Sequence, residues 1–313
     1  MNSSRNNSFG LIDVVKVSLS DQSFKQIGED ELEKLRNQMS HLQNRAYSRR
    51  ISVKDISHWE DGWKENFDNL MNDELSFAES LIPKYFLKQQ YFRFGGSVYK
   101  LDSWKTLEKV HKAILLYVID KALAFSQHNS IIEVGSGSGQ NILTFAEKFP
   151  EARIIGADWS QYSNMIVNYI ATRKNRQLTS QENWIGGVHF DFFSPKALDI
   201  QDKVLYTIHS LEQIGKNKDF LEYVLTAGAK LIVSIEPVIE HYSPDSVLGQ
   251  ELIQLHKTKE YLSGYPGWLA EKEKRNEIEV LHDERVDFGT LTAEPYSVFI
   301  WRPTMSRFGY EKS

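Results

Sequence analysis

The stretch that most constrains this chain is Ile131-Ile132-Glu133-Val134-Gly135-Ser136-Gly137-Ser138-Gly139-Gln140. An apolar run, three alternating glycines and then a helical pattern read as strand, loop and helix N-terminus. Glycines at such a junction let the backbone approach a ligand closely, and the first helical turn offers N–H groups without intrahelical partners. The loop is therefore a cradle for a nucleotide-type ligand. A dinucleotide site wants Gly-x-Gly-x-x-Gly, but the third glycine arrives one position early, with Gln140 in the expected slot. A P-loop wants Gly-Lys-Ser/Thr, and no lysine follows these glycines.

Beyond Ser130 the chain alternates between strand-like and helix-like runs. Strands are expected at Ile131–Val134, Arg153–Ala157, Gly187–Phe190, Val204–Ile208 and Leu231–Ile235, and helices at Asn141–Lys148, Gln161–Ala171 and Asp219–Ala227. Short apolar strands alternating with helices imply a parallel sheet covered on both faces. Arg285–Phe288 and Ser297–Trp301 read as a closing antiparallel hairpin with a Gly- and Pro-bearing connection, and 241–280 as a helical insert broken at Gly264-Tyr265-Pro266-Gly267. The expected fold class is α/β: a doubly wound, Rossmann-like core over 129–313 and a helical N-terminal cap over 1–128.

Within the cap, Leu32, Leu35, Met39, Leu42 and Ala46 make one helical stripe, which serves either docking or a homodimer seam. Leu107, Val110, Ile114, Val118 and Phe125 mark a second amphipathic helix. The aromatic segment 59–99 is expected to act as a lid hinged at Gly95-Gly96.

Composition narrows the function. A net charge of −5 lacks the positive bias that phosphate neutralisation favours, so no nucleic-acid partner is expected. With no cysteine among 313 residues, thiolate ligands, disulfides and cysteine nucleophiles are excluded. The polar start Met-Asn-Ser-Ser-Arg-Asn-Asn-Ser and the shortness of the apolar run Ala113–Ile119 point to a cytoplasmic protein with no membrane partner.

The loop Glu133-Val-Gly135-Ser136-Gly137-Ser-Gly139 resembles the first motif of class I S-adenosylmethionine-dependent methyltransferases, and the likeness in element order covers roughly 130–303. The resemblance implies a seven-stranded sheet with a final antiparallel pair, S-adenosyl-L-methionine as cofactor, and a loop including Ser136 and Asn141 around its methionine part. Asp158, ending the second strand, then corresponds to the ribose-binding acid, with a helix N-cap as its plain alternative. Asp191 corresponds to the acceptor of the adenine amine, or is a turn residue. Trp159 and Phe192 would flank the adenine, or belong to the core. Arg93 is the candidate for the cofactor carboxylate.

In a doubly wound sheet the acceptor lies beyond the carboxyl ends of the strands, which directs attention to His209-Ser-Leu-Glu212-Gln and Glu236-Pro-Val-Ile-Glu-His241. His209 is a base for a hydroxyl or a packing residue. Glu212 and Glu236 either activate a hydroxyl or clamp a cationic amine. His209, Glu236 and His241 are the residues a divalent metal would need, but the pattern differs from the Asp/Asn cluster of metal-dependent members, so none is expected. These stretches also resemble a bacterial group of sugar and small-molecule O-methyltransferases. The expected activity is O-methylation of a small-molecule acceptor, a sugar or natural-product hydroxyl of secondary metabolism. N-methylation of a cationic amine or guanidinium on a peptide, protein or amino acid is the alternative, and a catalytically silent cofactor-binding module is the third reading.

Overall fold

In a computed structural model of the chain, residues 9–38, 56–72, 75–177, 183–291 and 296–304 are described. The chain opens with α1 (Leu11–Leu19), β1 (Phe24–Gln26) and a helical stretch α2 over 29–38. Next come α3 (Ile56–Met71), the single turns α4 (Phe77–Ser80) and α5 (Lys84–Leu87), the hairpin β2 (Tyr91–Phe94) and β3 (Ser97–Leu101), and the long α6 (Lys105–Leu123). The core follows as β4 (Ser130–Val134), α7 (Gln140–Lys148), β5 (Arg153–Asp158), α8 (Gln161–Arg173), β6 (Ile185–His189), β7 (Val204–Ile208), α9 (Asp219–Thr226) and β8 (Leu231–Glu236). The end is α10 (Val247–Thr258), α11 (Tyr265–Lys274), β9 (Ile278–Val286), β10 (Phe288–Thr290) and β11 (Tyr296–Pro303).

Seven strands form the main sheet in the order β6-β5-β4-β7-β8-β11-β9. The first five are parallel, and β11 runs antiparallel to both β8 and β9. This is the Rossmann-like sheet with an antiparallel end that the resemblance implies. Side chains of β4 alternate between two cores: Ile131 belongs to the one that includes residues of α1, α6, α7 and α8, and Ile132 to the one that includes residues of α9 and α11. Burial on both faces explains why the strands read as unbroken apolar runs. Ser160 starts α8 and Ser246 starts α10, each side-chain oxygen accepting a backbone N–H from the first turn. Because β4 has β5 on one side and β7 on the other, a crevice opens beyond their carboxyl ends.

The region before the core is not the purely helical cap that the sequence suggests. It carries β1, β2 and β3, and β10 from the C-terminal hairpin completes a second, antiparallel sheet in the order β1-β3-β2-β10. Tyr91 to Phe94 is therefore strand, and Gly95-Gly96 is its hairpin turn, both at positive φ. Gly95 N–H donates to Asp287 O and Gly96 N–H to Asp287 Oδ2, which fixes the turn to the chain entering β10. The expected hinge is thus a pinned turn.

Of the stripe on α2, Leu35 is buried and Leu32 half-buried, while Met39, Leu42 and Ala46 lie outside the described residues. Of the Gly- and Pro-bearing hairpin connection, Gly289 falls in β10, while 292–295 lie outside the described residues. The insert contains α10 and α11 as expected, but β9 begins at Ile278, seven residues before the expected Arg285. Among the described residues no helix is long and apolar enough to cross a membrane.

Phe92 ties the strands of the small sheet together and belongs to the hydrophobic core that also takes in main-sheet residues. It is fully buried, with ring centres of Phe24, Tyr99 and Phe288 at 5.1, 5.0 and 5.8 Å. Phe92→Ala should lower stability by about 3–5 kcal/mol, as for other buried phenylalanines, and chemical denaturation of the whole chain measures it.

Candidate functional site

The glycine loop sits at the crevice. Gly135, Gly137 and Gly139 adopt φ of +79°, +49° and +75°, the left-handed region that other residues avoid. Space imposes the same choice. A Cβ on Gly135 would lie 2.3 Å from that of Ser210, and one on Gly137 would lie 2.8 Å from the Trp63 ring. Ser210 in turn donates to Val134 O at 2.6 Å, so the chain after β7 is stitched onto the end of β4.

Asp158 joins the loop to the next strand. Its Oδ2 accepts from Gly137 N–H and its Oδ1 from Ser160 N–H, both at 2.9 Å. Burial pushes its pKa up to about 6, against the lowering effect of those two backbone donors, and Glu60 adds repulsion. Glu60 comes from α3 and caps α8: Ser160 Oγ donates to its Oε2 at 2.5 Å and Gln161 N–H to its Oε1 at 3.0 Å. The same helix lays Trp59 and Trp63, stacked at 5.9 Å, along the crevice.

Two adjoining cavities share Trp59, Trp63, Gly135 and His209. The smaller is aromatic and also takes in Asp158, Trp159, Phe190, Phe192 and Phe193. The larger, of about 290 Å³, reaches past the loop to Asn141, His111, Glu212 and Tyr296, with Tyr85, Phe86, Lys259 and Tyr261 among its walls. His209 lies between the two, its backbone held left-handed at φ +51° and its ring centre 4.7 Å from that of Tyr296. Glu212, on a 3-10 turn after β7, accepts from Gln213 Nε2 at 2.8 Å.

Under the loop, Glu133 is wholly buried and accepts from Asn141 Nδ2 at 2.7 Å, while its Oε2 has no hydrogen-bond partner among the described residues. Burial drives its pKa up to about 8. Ser136 is within 3.2 Å of Ser163 Oγ, between loop and α8.

The structure thus brings together the glycine loop, Ser136, Asn141, Asp158, Trp159, Phe192, His209 and Glu212, and sets four expected site residues apart. Glu236, read as a base or clamp, has no exposed surface and lines neither cavity. It ends β8 facing the interior, where Oε1 accepts from the N–H groups of Leu211 (3.1 Å) and Ser210 (3.4 Å), so it shapes the turn that carries Glu212. His241 is drawn toward β11, with Nδ1 2.6 Å from Ser297 Oγ and its ring stacked on Phe299. Arg93, read as a cofactor ligand, is buried in β2, donates from Nε to Thr290 O at 3.0 Å and lies over the Tyr242 ring. Asp191 accepts from Phe193 N–H at 2.8 Å, the turn role, and sits beside the smaller cavity rather than on its wall. Among the described residues no three His, Asp or Glu side chains converge in a way that could hold a metal ion.

Sequence reading misses Glu60, His111 and Tyr296. Their partners lie far along the chain, and the one available hint, a histidine among the apolar positions of α6, resembles an ordinary core residue.

Several solved structures are similar to this chain at a distance. The cyclase SpnF is 14% identical, with 62% of this chain and 82% of that one covered and a TM-score of 0.45. Mitomycin 7-O-methyltransferase MmcR is 17% identical over 64% of this chain and 57% of its own, TM-score 0.42. Geranyl diphosphate C-methyltransferase from Streptomyces coelicolor A3(2), in complex with Mg2+, geranyl diphosphate and S-adenosyl-L-homocysteine, is 11% identical over 74% and 99%, TM-score 0.46. No protein-family model and no curated protein matches the chain.

The buried Glu236 gives the site a pH signature. Its pKa is raised by burial from 4.5 to about 7, so the folded chain binds a proton more tightly than the unfolded one. Its contribution to stability is whole below about pH 4.5 and is lost as pH rises toward 7. Glu236→Gln keeps an acceptor for Leu211 N–H without the buried charge. Thermal unfolding of this variant should fall less between pH 5 and pH 8 than that of the parent.

Proposed function

We propose that the chain is an S-adenosyl-L-methionine-dependent methyltransferase that acts on a hydroxyl of a small-molecule acceptor. The observation that carries this reading is the two-chambered crevice, with Asp158 and the aromatic rings on one side, the glycine loop and Glu212 along the other, and Gly135 and His209 where the two meet. The residues fit the cofactor: the loop has no room for a Cβ at Gly135 or Gly137, and the smaller cavity offers rings for a purine.

In this reading Asp158 accepts the ribose hydroxyls on lone pairs left by the Gly137 and Ser160 N–H groups. Trp159, Phe192 and Phe193 flank the adenine, and Asp191 shapes the turn that presents them. Trp59 and Trp63 close the crevice over the loop, and their faces suit a cation. The cofactor supplies a methyl group on a positively charged sulfur. The chain's own part is to hold the acceptor in line beside it, to exclude water and to take up the acceptor's proton. His209 and Glu212 are the expected strand-end residues that line the acceptor side. N-methylation of a cationic group loses support, because the clamp it needs included Glu236, which is buried out of reach.

Calorimetry with S-adenosyl-L-homocysteine should show one saturable site of micromolar affinity. Asp158→Ala should weaken it by about 1.5–3 kcal/mol, the range for hydrogen bonds to a charged group. Tight NAD or ATP binding without binding of the sulfur compound would overturn the reading.

A further inference from the structure

The larger cavity ends on a chain of hydrogen bonds whose direction can be worked out from Glu133. Asn141 Nδ2 donates to Glu133 Oε1 at 2.7 Å, so the amide turns its oxygen the other way, to 3.4 Å from His111 Nε2. An acceptor facing Nε2 calls for a hydrogen there. A neutral imidazole carries only one, so Nδ1 is a bare acceptor. Tyr296 OH lies 3.1 Å from that Nδ1 and must donate to it. With its hydrogen committed inward, the phenolic oxygen acts as an acceptor toward the cavity that both rings line.

Surroundings keep the ring neutral. His111 is buried and lies 5.9 Å from His209, and both effects push its pKa down, to about 3.

We infer that Tyr296 and His111 form the proton-accepting pair of this cavity, aimed by Asn141 and Glu133, and that the acceptor it serves is a phenol- or enol-type hydroxyl. The inference rests on the methyltransferase reading above. Tyr296 is the catalytic residue, since it faces the acceptor. His111 acts through Tyr296. The acceptor's O–H bond breaks as its hydrogen passes to Tyr296 Oη, and the hydrogen of Tyr296 passes to His111 Nδ1. The bonding pair stays on the acceptor oxygen, which becomes the nucleophile, and His111 becomes imidazolium. As methyl transfer removes the positive charge from sulfur, the imidazolium replaces it, so the net charge of a dry site is unchanged.

Acidity selects the acceptor. The proton comes to rest on His111, so the more acidic the acceptor's hydroxyl, the smaller the uphill step. A phenol or enol is a far stronger acid than an aliphatic alcohol, and a carboxylate has no proton to give. The rings of Tyr85, Phe86 and Tyr261 on the cavity walls suit a flat acceptor as well.

Nitrogen-15 NMR of histidine-labelled protein tests the direction of the chain without any acceptor. His111 should be the neutral Nε2–H form from pH 5.5 to 8, and Tyr296→Phe should shift its Nδ1 signal. An Nδ1–H form overturns the inference. With S-adenosyl-L-methionine and a panel of simple phenols, enols, aliphatic alcohols and amines, mass spectrometry should find the 14-dalton gain on phenols or enols. Tyr296→Phe should then lower kcat by about 10²-fold or more, with KM and S-adenosyl-L-homocysteine affinity within about twofold. Full turnover in Tyr296→Phe, or gain confined to alcohols or amines, overturns it. Failure of the parent protein to bind S-adenosyl-L-homocysteine would instead refute the methyltransferase reading and leave the NMR result standing.

Discussion

One carboxylate holds the crevice in shape. Asp158 ends β5, yet its two oxygens bind the N–H of Gly137 in the loop after β4 and that of Ser160 at the head of α8. Without it, two backbone donors in a buried turn would lack partners, each at a cost of about 1–3 kcal/mol. The left-handed glycines lie in that anchored loop, and Trp63 of α3 packs directly against Gly137. Glu60 extends the arrangement outward by capping the same helix from the N-terminal region.

Around this anchor the protein buries charge-bearing groups without countercharges. Glu133, Asp158 and Glu236 are raised by burial, and His111 is lowered by it. Such groups are costly in a dry interior. Their concentration about one crevice is the pattern expected where a polar ligand completes the electrostatics. The two expected bases divide accordingly: His209 stands on the cavity wall, and Glu236 supports the turn behind it.

The core was legible because its signals are local. Buried parallel strands read as apolar runs, and the glycines of 135–139 are required by backbone conformation within five residues. The acids at 158 and 191 and the aromatics beside them follow from strand ends. What escaped depends on distance. β1 is three residues long with two exposed side chains, so no periodicity marks it. Arg93 looked like a ligand because nothing nearby shows that Thr290 and Tyr242 claim it. Tyr296 and His111 are separated by 185 residues and carry no common motif. Glu236 and Glu212 look equivalent in sequence, and only the pleat and the turn between them decide which faces the cavity.

The strand β10 makes the N-terminal sheet dependent on the far end of the chain. Its residues Phe288 to Thr290 pair with Phe94 to Phe92, so β2 remains an unprotected edge until the chain has been synthesised through residue 290. The parallel strands of the core emerge in between. During translation the core's first half therefore precedes completion of the sheet that begins before it, and the aromatic face of β2 waits exposed for a late partner. A long-range closure of this kind delays folding and leaves an aggregation-prone edge open meanwhile. On a ribosome, the nascent segment around Phe92 therefore stays without its strand partner until residues 288–290 arrive.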